Sequence, residues 1–598
     1  MKNTLIPIFR RYLIAVTLLY TTVVGYAAPD FLRDPLRIAD SAKVTVSLSE
    51  YLGSVNPNTR GWYHHVANVV AAKDGSLVAC YRISDTHTAT TTSIVVARSS
   101  DGGRTWGEHR VIATGDIWST YSLWVAPQMS ILRDGRIMII CDLGQRNSQQ
   151  NWPMLTDWQK PDRGMSNHLW ISDDHGRTWS APREIDKIGG EPGYILELAD
   201  GTLAYTRTSS KVTDQLKNPP APWNNIYYRN EIVFSRDGGK TWPEVRWLAD
   251  SPFFGDCEVG LAELAAGKLM AVSRIGLGNG QFGHPSRLLF SEDNGLTWPT
   301  TVPAPFYGQR PHVGRLQSGK YLVTYRNRWG SPGNRAVVFD PEKDKGFQPT
   351  SWIVDEKRCE LSPEALTIRS GEGKTGAVEF SLYPAQDDTA RVEIEATLKV
   401  DSVDKNSCLI SAGCWVRFSL SRVELADRPS AGFDFDTSAW HSYKIVRDKG
   451  EIAIYADGKE KLRVSIEGLW AREVRFGNRT SGNDYVANSG VSHWRSVSAK
   501  VKNDARDYSI DWQWSPAQGY PDQFRRDRVV VLDNAYAADC GYSSWTQLPD
   551  GRIVILDYTN GGNLESFSWA KPGEGSAPFV RAYLVKEEDL IRKSTPSL

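Results

Sequence analysis

The sequence predicts an all-β fold, a six-bladed β-propeller into which a second all-β domain is inserted. One observation is the pattern Ser-x-Asp-x-Gly-x-Thr-Trp, which recurs at residues 99–106, 172–179, 235–242 and 291–298. The other is a longer unit of two apolar-rich strands joined by a tight turn, which occurs at residues 69–82, 129–142, 194–207, 260–274, 313–326 and 546–558. Such repeats indicate a repeated supersecondary unit, and six units of four antiparallel strands form a six-bladed propeller.

The shorter pattern is typical of the tip of a β-hairpin. Its Asp accepts hydrogen bonds from backbone N–H groups close by in the chain, and its Gly supplies a positive φ. The Thr and Trp that follow favour a strand and a buried aromatic anchor. We therefore expect each copy to join the third and fourth strands of a blade, and we expect its Asp to be structural and not catalytic.

The repeats stop between the fifth and sixth long units. Residues 348–501 contain no copy of the shorter pattern, yet they contain strand-like segments at residues 378–384, 392–401, 415–425, 440–466 and 491–501. We therefore divide the chain into propeller blades 1 to 5 at 45–345, an inserted all-β domain at 346–505, and the remaining propeller with blade 6 at 506–592. This division places the insertion between blades 5 and 6.

Composition and the N-terminal residues narrow the possible functions. Lys plus Arg and Asp plus Glu number 70 each, so no strongly charged partner such as nucleic acid is expected. Residues 1–27 combine Lys2, Arg10 and Arg11 with an apolar run and small residues before Ala28. This pattern predicts a signal peptide and a secreted or periplasmic protein, with an uncleaved membrane anchor as the alternative. We expect no stable membrane insertion of the mature protein and a monomer.

The seven cysteines are scattered and show neither metal-binding spacing nor a dense disulfide framework. Cys408 and Cys414 are close enough in sequence to form a bridge within the inserted segment, and the other cysteines are expected to be buried thiols. No group of His, Cys and Asp has the spacing of a zinc site. Neither a metal nor any other cofactor is therefore expected.

Two segments resemble known families. The Ser-x-Asp-x-Gly-x-Thr-Trp pattern is similar to the Asp box (BNR repeat) of the sialidase superfamily, whose architecture is a six-bladed propeller. The segment WHSYKIVRDKGEIAIYADG, at residues 440–458, resembles the laminin-G or concanavalin-like jelly roll. The second resemblance implies either carbohydrate contact or a purely structural role for the inserted domain.

The sialidase resemblance implies a site in blades 4 and 6. Tyr542 in the segment DCGYSSW matches the family's nucleophile, and Glu258 matches the glutamate that activates it. Arg274 matches an arginine that binds the substrate carboxylate. A tyrosine suits this role because it is neutral until it loses its proton, whereas an Asp or Glu would be repelled by the carboxylate next to the reacting carbon.

Blades 1 and 5 fit the family pattern less closely. His65 stands where the family has the first of its carboxylate-binding arginines, and Arg82 matches the second. Asp85 is the nearest match to the catalytic acid, and His87 is the alternative. For the third arginine, Arg335 fits best, and Arg310 is a rival.

These residues lead to three functional hypotheses. The first is a secreted, retaining exo-glycosidase that removes a terminal acidic sugar, sialic acid or a related sugar, from a glycan. The second keeps the scaffold but uses the pocket histidines His65 or His87 for acid–base work on a non-sialic substrate, such as a uronic acid or a deoxy sugar of a polysaccharide. The third is a glycan-binding propeller without catalysis.

Overall fold

The computed structural model describes the chain in eighteen stretches, with gaps between them: residues 36–47, 62–87, 89–145, 165–188, 190–212, 226–251, 254–275, 285–327, 333–353, 358–370, 378–384, 390–403, 407–469, 473–478, 490–504, 508–535, 540–559 and 578–591. Within them, none of the helices has the length and apolarity needed to cross a membrane. The predicted signal peptide at residues 1–27 lies outside the described residues and stays a prediction.

Six antiparallel sheets form the six predicted blades, and the first strands of neighbouring blades lie side by side. The strands of blade 1 are Tyr63–Ala71, Leu77–Ser84, Thr91–Ser99 and Gly107–Asp116. Those of blade 2 are Ser122–Trp124 with Gln128–Ile131, Ile137–Gln145, Met165–Ser172 and Arg183–Asp186. Those of blade 3 are Leu196–Glu197, Leu203–Val212, Ile226–Ser235 and Glu244–Ala249, and those of blade 4 are Asp256–Ala265, Lys268–Ile275, Arg287–Ser291 and Thr300–Pro303. The predicted fold class is confirmed.

Blade 5 is interrupted by the inserted domain. Its first three strands are Gln309–Arg315, Tyr321–Asn327 and Gly333–Phe339, and its fourth is Val529–Asn534. The fourth strand pairs antiparallel with Gly333–Phe339 and parallel with the short strand Leu36–Arg37. The insertion therefore lies within blade 5, not between blades 5 and 6 as predicted. It occupies the connection between third and fourth strands, which is why blade 5 has no copy of the Asp pattern.

Blade 6 closes the ring with strands from both ends of the chain. Its strands from the C-terminal part are Gly541–Gln547, Ile553–Thr559 and Phe579–Val585, and its outer strand is Lys43–Ser47. Because Lys43–Ser47 pairs with Phe579–Val585, backbone hydrogen bonds hold the two ends together. Tyr542 in blade 6 is thereby fixed relative to blade 1.

The Asp patterns have the predicted position and geometry. Each joins the third strand to the fourth in blades 1 to 4. In the first copy, the Asp101 carboxylate accepts bonds from the Ser99 hydroxyl at 2.8 Å, the Thr105 N–H at 2.9 Å and the Thr105 hydroxyl at 2.6 Å. These bonds lower the pKa of Asp101 to about 2. Its hydrogen-bonding capacity is used within the turn, as expected of a structural residue.

The inserted domain consists of two packed sheets. Their inward residues form one hydrophobic core, which Phe254 and Ile275 of blade 4 also join. One sheet contains Thr350–Ile353, Val378–Pro384, Leu409–Ala412, Trp415–Ser419, Arg422–Leu425, Arg428–Asp434 and Glu473–Gly477. The other contains Cys359–Leu361, Leu366–Arg369, Arg391–Ser402, His441–Asp448, Glu451–Ala456, Lys459–Ser465, Val491–Asn503 and Tyr508–Trp514. The last strand extends the domain beyond its predicted end at residue 505.

Short helices and cysteines complete the fold. The helix Gln523–Arg528 leads back into blade 5, and 3₁₀ turns lie at Asp40–Ala42, Pro516–Gln518 and Glu587–Leu590. All seven cysteines are buried and unbridged, so the bridge considered between Cys408 and Cys414 is absent from the structure. Among the described residues no group of three or more His, Cys, Asp or Glu side chains could hold a metal ion.

Candidate active site

The site is built on a bulge that recurs in the first strands of the blades. In blade 4, Cys257 pairs with Arg274 and Gly260 with Val272, so two residues on the first strand oppose one on the second. Equivalent register shifts occur in blades 1, 5 and 6. Such a bulge bends the strand and redirects a side chain.

One residue of each of these four bulges, and Glu191 beside the Gly190–Thr208 bridge in blade 3, has a left-handed backbone. The positive φ values are 55° at Val66, 47° at Glu191, 50° at Glu258, 48° at Arg310 and 59° at Tyr542. Residues with a Cβ adopt this conformation at a cost of about 1–3 kcal/mol, and such strain is concentrated at functional sites. Four of the five are chemically active residue types.

Close packing of the first strands brings the bulges together. A Cβ on Gly260 would lie 2.6 Å from the Pro311 carbonyl oxygen, and one on Gly193 would lie 2.9 Å from the Val259 carbonyl oxygen. Only glycine allows these approaches between blades 3, 4 and 5. The short inter-strand distances let side chains from non-adjacent blades meet.

Tyr542 and Glu258 are in direct contact. The Tyr542 hydroxyl donates a hydrogen bond to Oε1 of Glu258. The same oxygen lies 2.6 Å from Nη1 of Arg274, and Oε2 accepts a bond from the Arg310 N–H at 3.1 Å. The Glu258 side chain is fully buried, whereas the Arg274 side chain is 11% exposed. This arrangement can hold an ionised carboxylate against a tyrosine hydroxyl.

Three guanidinium groups surround this pair. Besides Arg274, Cζ of Arg326 lies 4.7 Å and Cζ of Arg310 lies 5.4 Å from the centre of the Tyr542 ring. Nη2 of Arg326 also lies 3.4 Å from the Tyr542 hydroxyl oxygen. Against the three guanidinium charges stand Glu258, which is ionised, and Glu191 and Asp142, whose pKa values are raised by burial. The cluster therefore favours a further negative charge. An anion would be attracted to it.

The charges set the protonation states of the pair. Burial would raise the pKa of Glu258, but Arg274, Arg310 and Arg326 outweigh it and lower that pKa to about 2. Burial and the negative charge of Glu258 raise the pKa of Tyr542 well above its usual value, while Arg326 and Arg274 oppose the rise. In the resting protein Glu258 is therefore ionised and Tyr542 is protonated.

Comparison with known proteins agrees with the propeller fold. Residues 75–362 match the family model of the BNR repeat-like domain, and parts of the chain are similar to curated sialidases. A sialidase of Clostridium perfringens is 28% identical over 198 residues, which are 30% of this chain and 48% of the relative. A sialidase of Paraclostridium sordellii is 26% identical over 208 residues, which are 31% of this chain and 48% of the relative. These matches span about half the length of the curated relatives.

Two solved structures are similar to this chain at low identity. A mutant of Trypanosoma rangeli sialidase that displays trans-sialidase activity is 13% identical, with a TM-score of 0.36, and the match covers 78% of this chain and 96% of that one. A protein of unknown function from Dyadobacter fermentans is 17% identical, with a TM-score of 0.39, and the match covers 57% of this chain and 93% of that one.

Arg326 is a site residue that the sequence interpretation missed. It lies near the end of the second strand of blade 5, as Arg82 and Arg274 lie near the ends of those of blades 1 and 4. The signal was present, since the long units at residues 69–82, 260–274 and 313–326 all end in arginine at the same distance from their turn glycine.

Arg335 does not lie where it was expected. It pairs across the sheet with Tyr325, and Arg326 pairs with Asn334. Because paired residues project to the same face of a sheet and successive residues to opposite faces, Arg335 and Arg326 face opposite ways. Arg335 donates to the Asp533 carbonyl at 2.9 Å and to Oδ1 of Asn534 at 3.1 Å. Arg326, not Arg335, accompanies Arg274.

Arg82 and His65 form a separate pair beside the cluster. Nε of Arg82 donates to Nε2 of His65, and its Nη1 donates to the Val125 carbonyl at 2.8 Å. The Tyr558 ring lies between this pair and Tyr542, with its centre 5.8 Å from His65 and 6.3 Å from Tyr542. Burial, together with the positive charge of Arg82, lowers the pKa of His65 well below its usual value. His65 is therefore neutral, and Arg82 is engaged by the protein itself.

The candidate acid Asp85 closes its own loop. One carboxylate oxygen accepts a bond from the Thr90 N–H at 2.8 Å, and the other accepts one from the Thr90 hydroxyl at 2.7 Å. The neighbouring His87 is exposed, and its carbonyl accepts a bond from Nη2 of Arg82 at 3.1 Å. The structure thus shows the Asp85 carboxylate bonded within its own loop, and its role as the catalytic acid stays a prediction.

Glu191 is a second carboxylate of the site that the sequence interpretation missed. It lies in blade 3 at the place that Glu258 has in blade 4, beside the bridge between Gly190 and Thr208. Its distance in sequence from the turn glycine is one residue longer than that of Glu258, so the spacing rule does not find it. Arg310 connects it to the cluster, since Nη2 of Arg310 donates to the Pro192 carbonyl at 2.8 Å. Blades 3, 4, 5 and 6 therefore all contribute to one site.

Proposed function

We propose that this protein is a retaining glycosidase that removes a terminal acidic sugar from a glycan, with Tyr542 as the nucleophile. The observation that carries the proposal is the hydrogen bond from the Tyr542 hydroxyl to the buried, ionised Glu258. A tyrosine nucleophile needs a base within hydrogen-bonding reach, and Glu258 is that base. The curated relatives are named sialidases, which supports this reaction class.

The arginines explain the choice of an acidic sugar. The cluster favours a further negative charge, and Nε of Arg274 is buried without a hydrogen-bond partner in the described part of the chain. A sugar carboxylate would satisfy that donor and would interact with Arg326 from the other side. Guanidinium groups suit carboxylates because their N–H groups match both oxygens.

Substrate binding would also change the charges around the pair. In the resting site the arginines hold the pKa of Glu258 at about 2, which makes Glu258 a weak base, and they also oppose the rise in the pKa of Tyr542. A bound substrate carboxylate offsets part of their charge, so it raises the pKa of both partners, and Glu258 becomes a stronger base.

The structure favours this reaction over acid–base catalysis by His65. The Nε2 atom of His65 accepts the bond from Arg82 and so holds no proton to donate. The strained bulges at Tyr542 and Glu258 also argue for catalysis, since binding alone does not require this pair. Within the acidic sugars, sialic acid, a related 3-deoxy-ulosonic acid and a uronic acid remain to be distinguished by assay.

The test is hydrolysis of a panel of aryl and oligosaccharide glycosides of these three acidic sugars. We expect release of one of them, with retention of configuration, and loss of at least 10³-fold in kcat/KM for Tyr542→Phe, because nucleophilic catalysis is removed. Tyr121→Phe is the matched control, since Tyr121 is 60% exposed in the loop before blade 2.

Two results would contradict the proposal. Full activity of Tyr542→Phe would exclude the tyrosine nucleophile. Binding of the acidic glycosides without turnover of any of them would show a glycan-binding propeller instead.

A further inference from the structure

Glu191 lies in the site at a position equivalent to that of the catalytic pair. Its φ of 47° matches those of Glu258 and Tyr542, and it follows the bridge between Gly190 and Thr208 as Glu258 follows the pair of Cys257 and Arg274. The same local geometry in blade 3 therefore directs Glu191 toward the side chains presented by blades 4 and 6.

The main chain of Glu191 is held on both sides, but its carboxyl group is not engaged. Its N–H donates to Oδ2 of Asp142 at 2.8 Å, and its carbonyl accepts a bond from Nη1 of Arg310 at 3.4 Å. Among the described residues, the hydrogen bonds and ion pairs involve no oxygen of the Glu191 carboxyl group. A carboxyl group on a fixed backbone with no protein partner is available to a ligand.

Ionisable groups from five blades face Glu191, namely Asp142, Tyr228, Glu258, Arg274, Arg310 and Tyr542. Burial and the charge of Glu258 raise the pKa of Glu191 to about 7, against the opposing effect of Arg310 and Arg274. Glu258, by contrast, has a pKa of about 2. Two carboxylates whose surroundings push their pKa values apart are typical of an acid and a base in one active site.

We propose that Glu191 is the general acid and base that acts on the leaving group and on water in this site. The inference rests on the proposed function. In the first step Tyr542 passes its proton to Glu258 while its oxygen bonds to the anomeric carbon. The bond from that carbon to the leaving oxygen breaks, its electron pair stays on the oxygen, and the oxygen takes the proton of Glu191.

The second step reverses these proton transfers. The Glu191 carboxylate takes a proton from water, and the water oxygen bonds to the anomeric carbon. The bond to the Tyr542 oxygen breaks with its electron pair on that oxygen, which recovers the proton from Glu258. The sum is addition of one water molecule to the glycosidic bond, and every side chain returns to its starting protonation state.

The other candidates are less suited to this role. Asp85 has both carboxylate oxygens engaged by Thr90 within its own loop. His65 is buried, neutral and bonded to Arg82. Glu191 alone among these residues combines an unengaged carboxyl group with close proximity to the Tyr542 and Glu258 pair.

The experiment compares Glu191→Gln with the wild-type protein on two glycosides of the released sugar that differ only in leaving group. A sugar alcohol leaving group needs a proton, whereas 4-nitrophenolate leaves without one. We expect kcat/KM to fall by 10²–10⁴-fold for the first and by less than tenfold for the second. We also expect a lower KM for the aryl glycoside, because loss of the base in the second step lets the tyrosyl intermediate accumulate.

A pH profile adds an independent readout. Since Glu191 must be protonated to donate, kcat/KM of the wild type on the sugar-leaving substrate should fall as the pH rises through about 7. The same fall in kcat/KM above pH 7 should be absent when Glu191→Gln acts on the aryl glycoside. Infrared difference spectra of the free proteins should show a carboxyl band that titrates near the same pH and is lost in the variant.

The outcomes separate this inference from the proposed function. The role of Glu191 would be overturned if Glu191→Gln lost kcat/KM equally on both substrates, or if it kept the fall of kcat/KM above pH 7 and the titrating carboxyl band. In that case, hydrolysis by the wild type and inactivity of Tyr542→Phe would still support the proposed function. A wild type that hydrolyses none of the panel would overturn both. Asp85→Asn is the matched carboxylate control, and a selective loss on the sugar-leaving substrate in that variant would assign the acid to Asp85 instead.

Discussion

The buried charge of Glu258 should contribute measurably to folding, and Glu258→Gln removes that charge with almost no change of shape. The folded-state pKa of Glu258 is about 2, against a value of 4.5 in the absence of the fold. At about 1.36 kcal/mol per pKa unit, this difference corresponds to about 3 kcal/mol of stability. A glutamine resembles the protonated glutamate, so the variant should lose about that amount at pH 7.

The sign of the pH dependence follows from the lowered pKa. Because the folded protein holds the proton less tightly than the unfolded chain, the contribution of Glu258 is complete above about pH 4.5 and is lost as the pH falls toward 2. The stability difference between wild type and Glu258→Gln should therefore narrow as the pH falls from about 4.5 toward 2. Urea denaturation followed by tryptophan fluorescence at a series of pH values measures it.

A surface glutamate of the same blade supplies the control. Glu292 forms an ion pair with Lys268 at 2.6 Å, but both side chains are more than half exposed. Exposed pairs contribute about 0–1 kcal/mol, so Glu292→Gln should change stability by less than 1 kcal/mol. The reasoning is refuted if Glu258→Gln is no less stable than Glu292→Gln at pH 7, or if its deficit does not narrow below pH 4.5.

Two further substitutions test the placement of residues. Arg326→Met should raise KM for the anionic substrate by about 10- to 100-fold, because a charged hydrogen bond contributes about 1.5–3 kcal/mol. Arg335→Met should leave KM within about twofold. Steady-state kinetics on folded protein distinguish the two variants, and equal effects would contradict the opposite orientation of the two arginines. Asp101→Ala should lower the stability of the propeller by about 1–2 kcal/mol and leave kcat/KM unchanged, because it removes a side chain that caps backbone N–H groups. A thermal melt measures the stability and an activity assay measures kcat/KM. A large loss of activity in well-folded protein would give the Asp pattern a role beyond structure.

Much of the site follows from local sequence patterns. Tyr542, Glu258 and Arg274 lie at fixed distances from the turn glycines of blades 6 and 4, and the structure brings all three together. That spacing works because each blade repeats the same strand, turn and bulge, so a position relative to the turn is also a position in space. Arg326 obeys the same rule and could have been predicted from it.

Arg335 was misplaced because orientation depends on strand register. Arg335 is close to Arg326 in the folded sheet, but the pairing of Tyr325 with Arg335 puts it on the opposite face. A shift of one residue in register reverses the face on which a side chain lies. The hydrogen bonds of Asp85 to Thr90 are likewise formed only by the folded loop.

By itself the sequence determined the all-β class, the six blades and the structural role of the Asp patterns. These properties depend on turn chemistry and on alternation along single strands, which act over a few residues. The Tyr542, Glu258 and Arg274 set came from the resemblance of the sequence to sialidases. Only the tertiary structure decided that the inserted domain interrupts blade 5 and that Glu191 joins Glu258. Each of these depends on contacts between blades that are far apart in the chain, where packing and electrostatics act and no local pattern specifies the outcome.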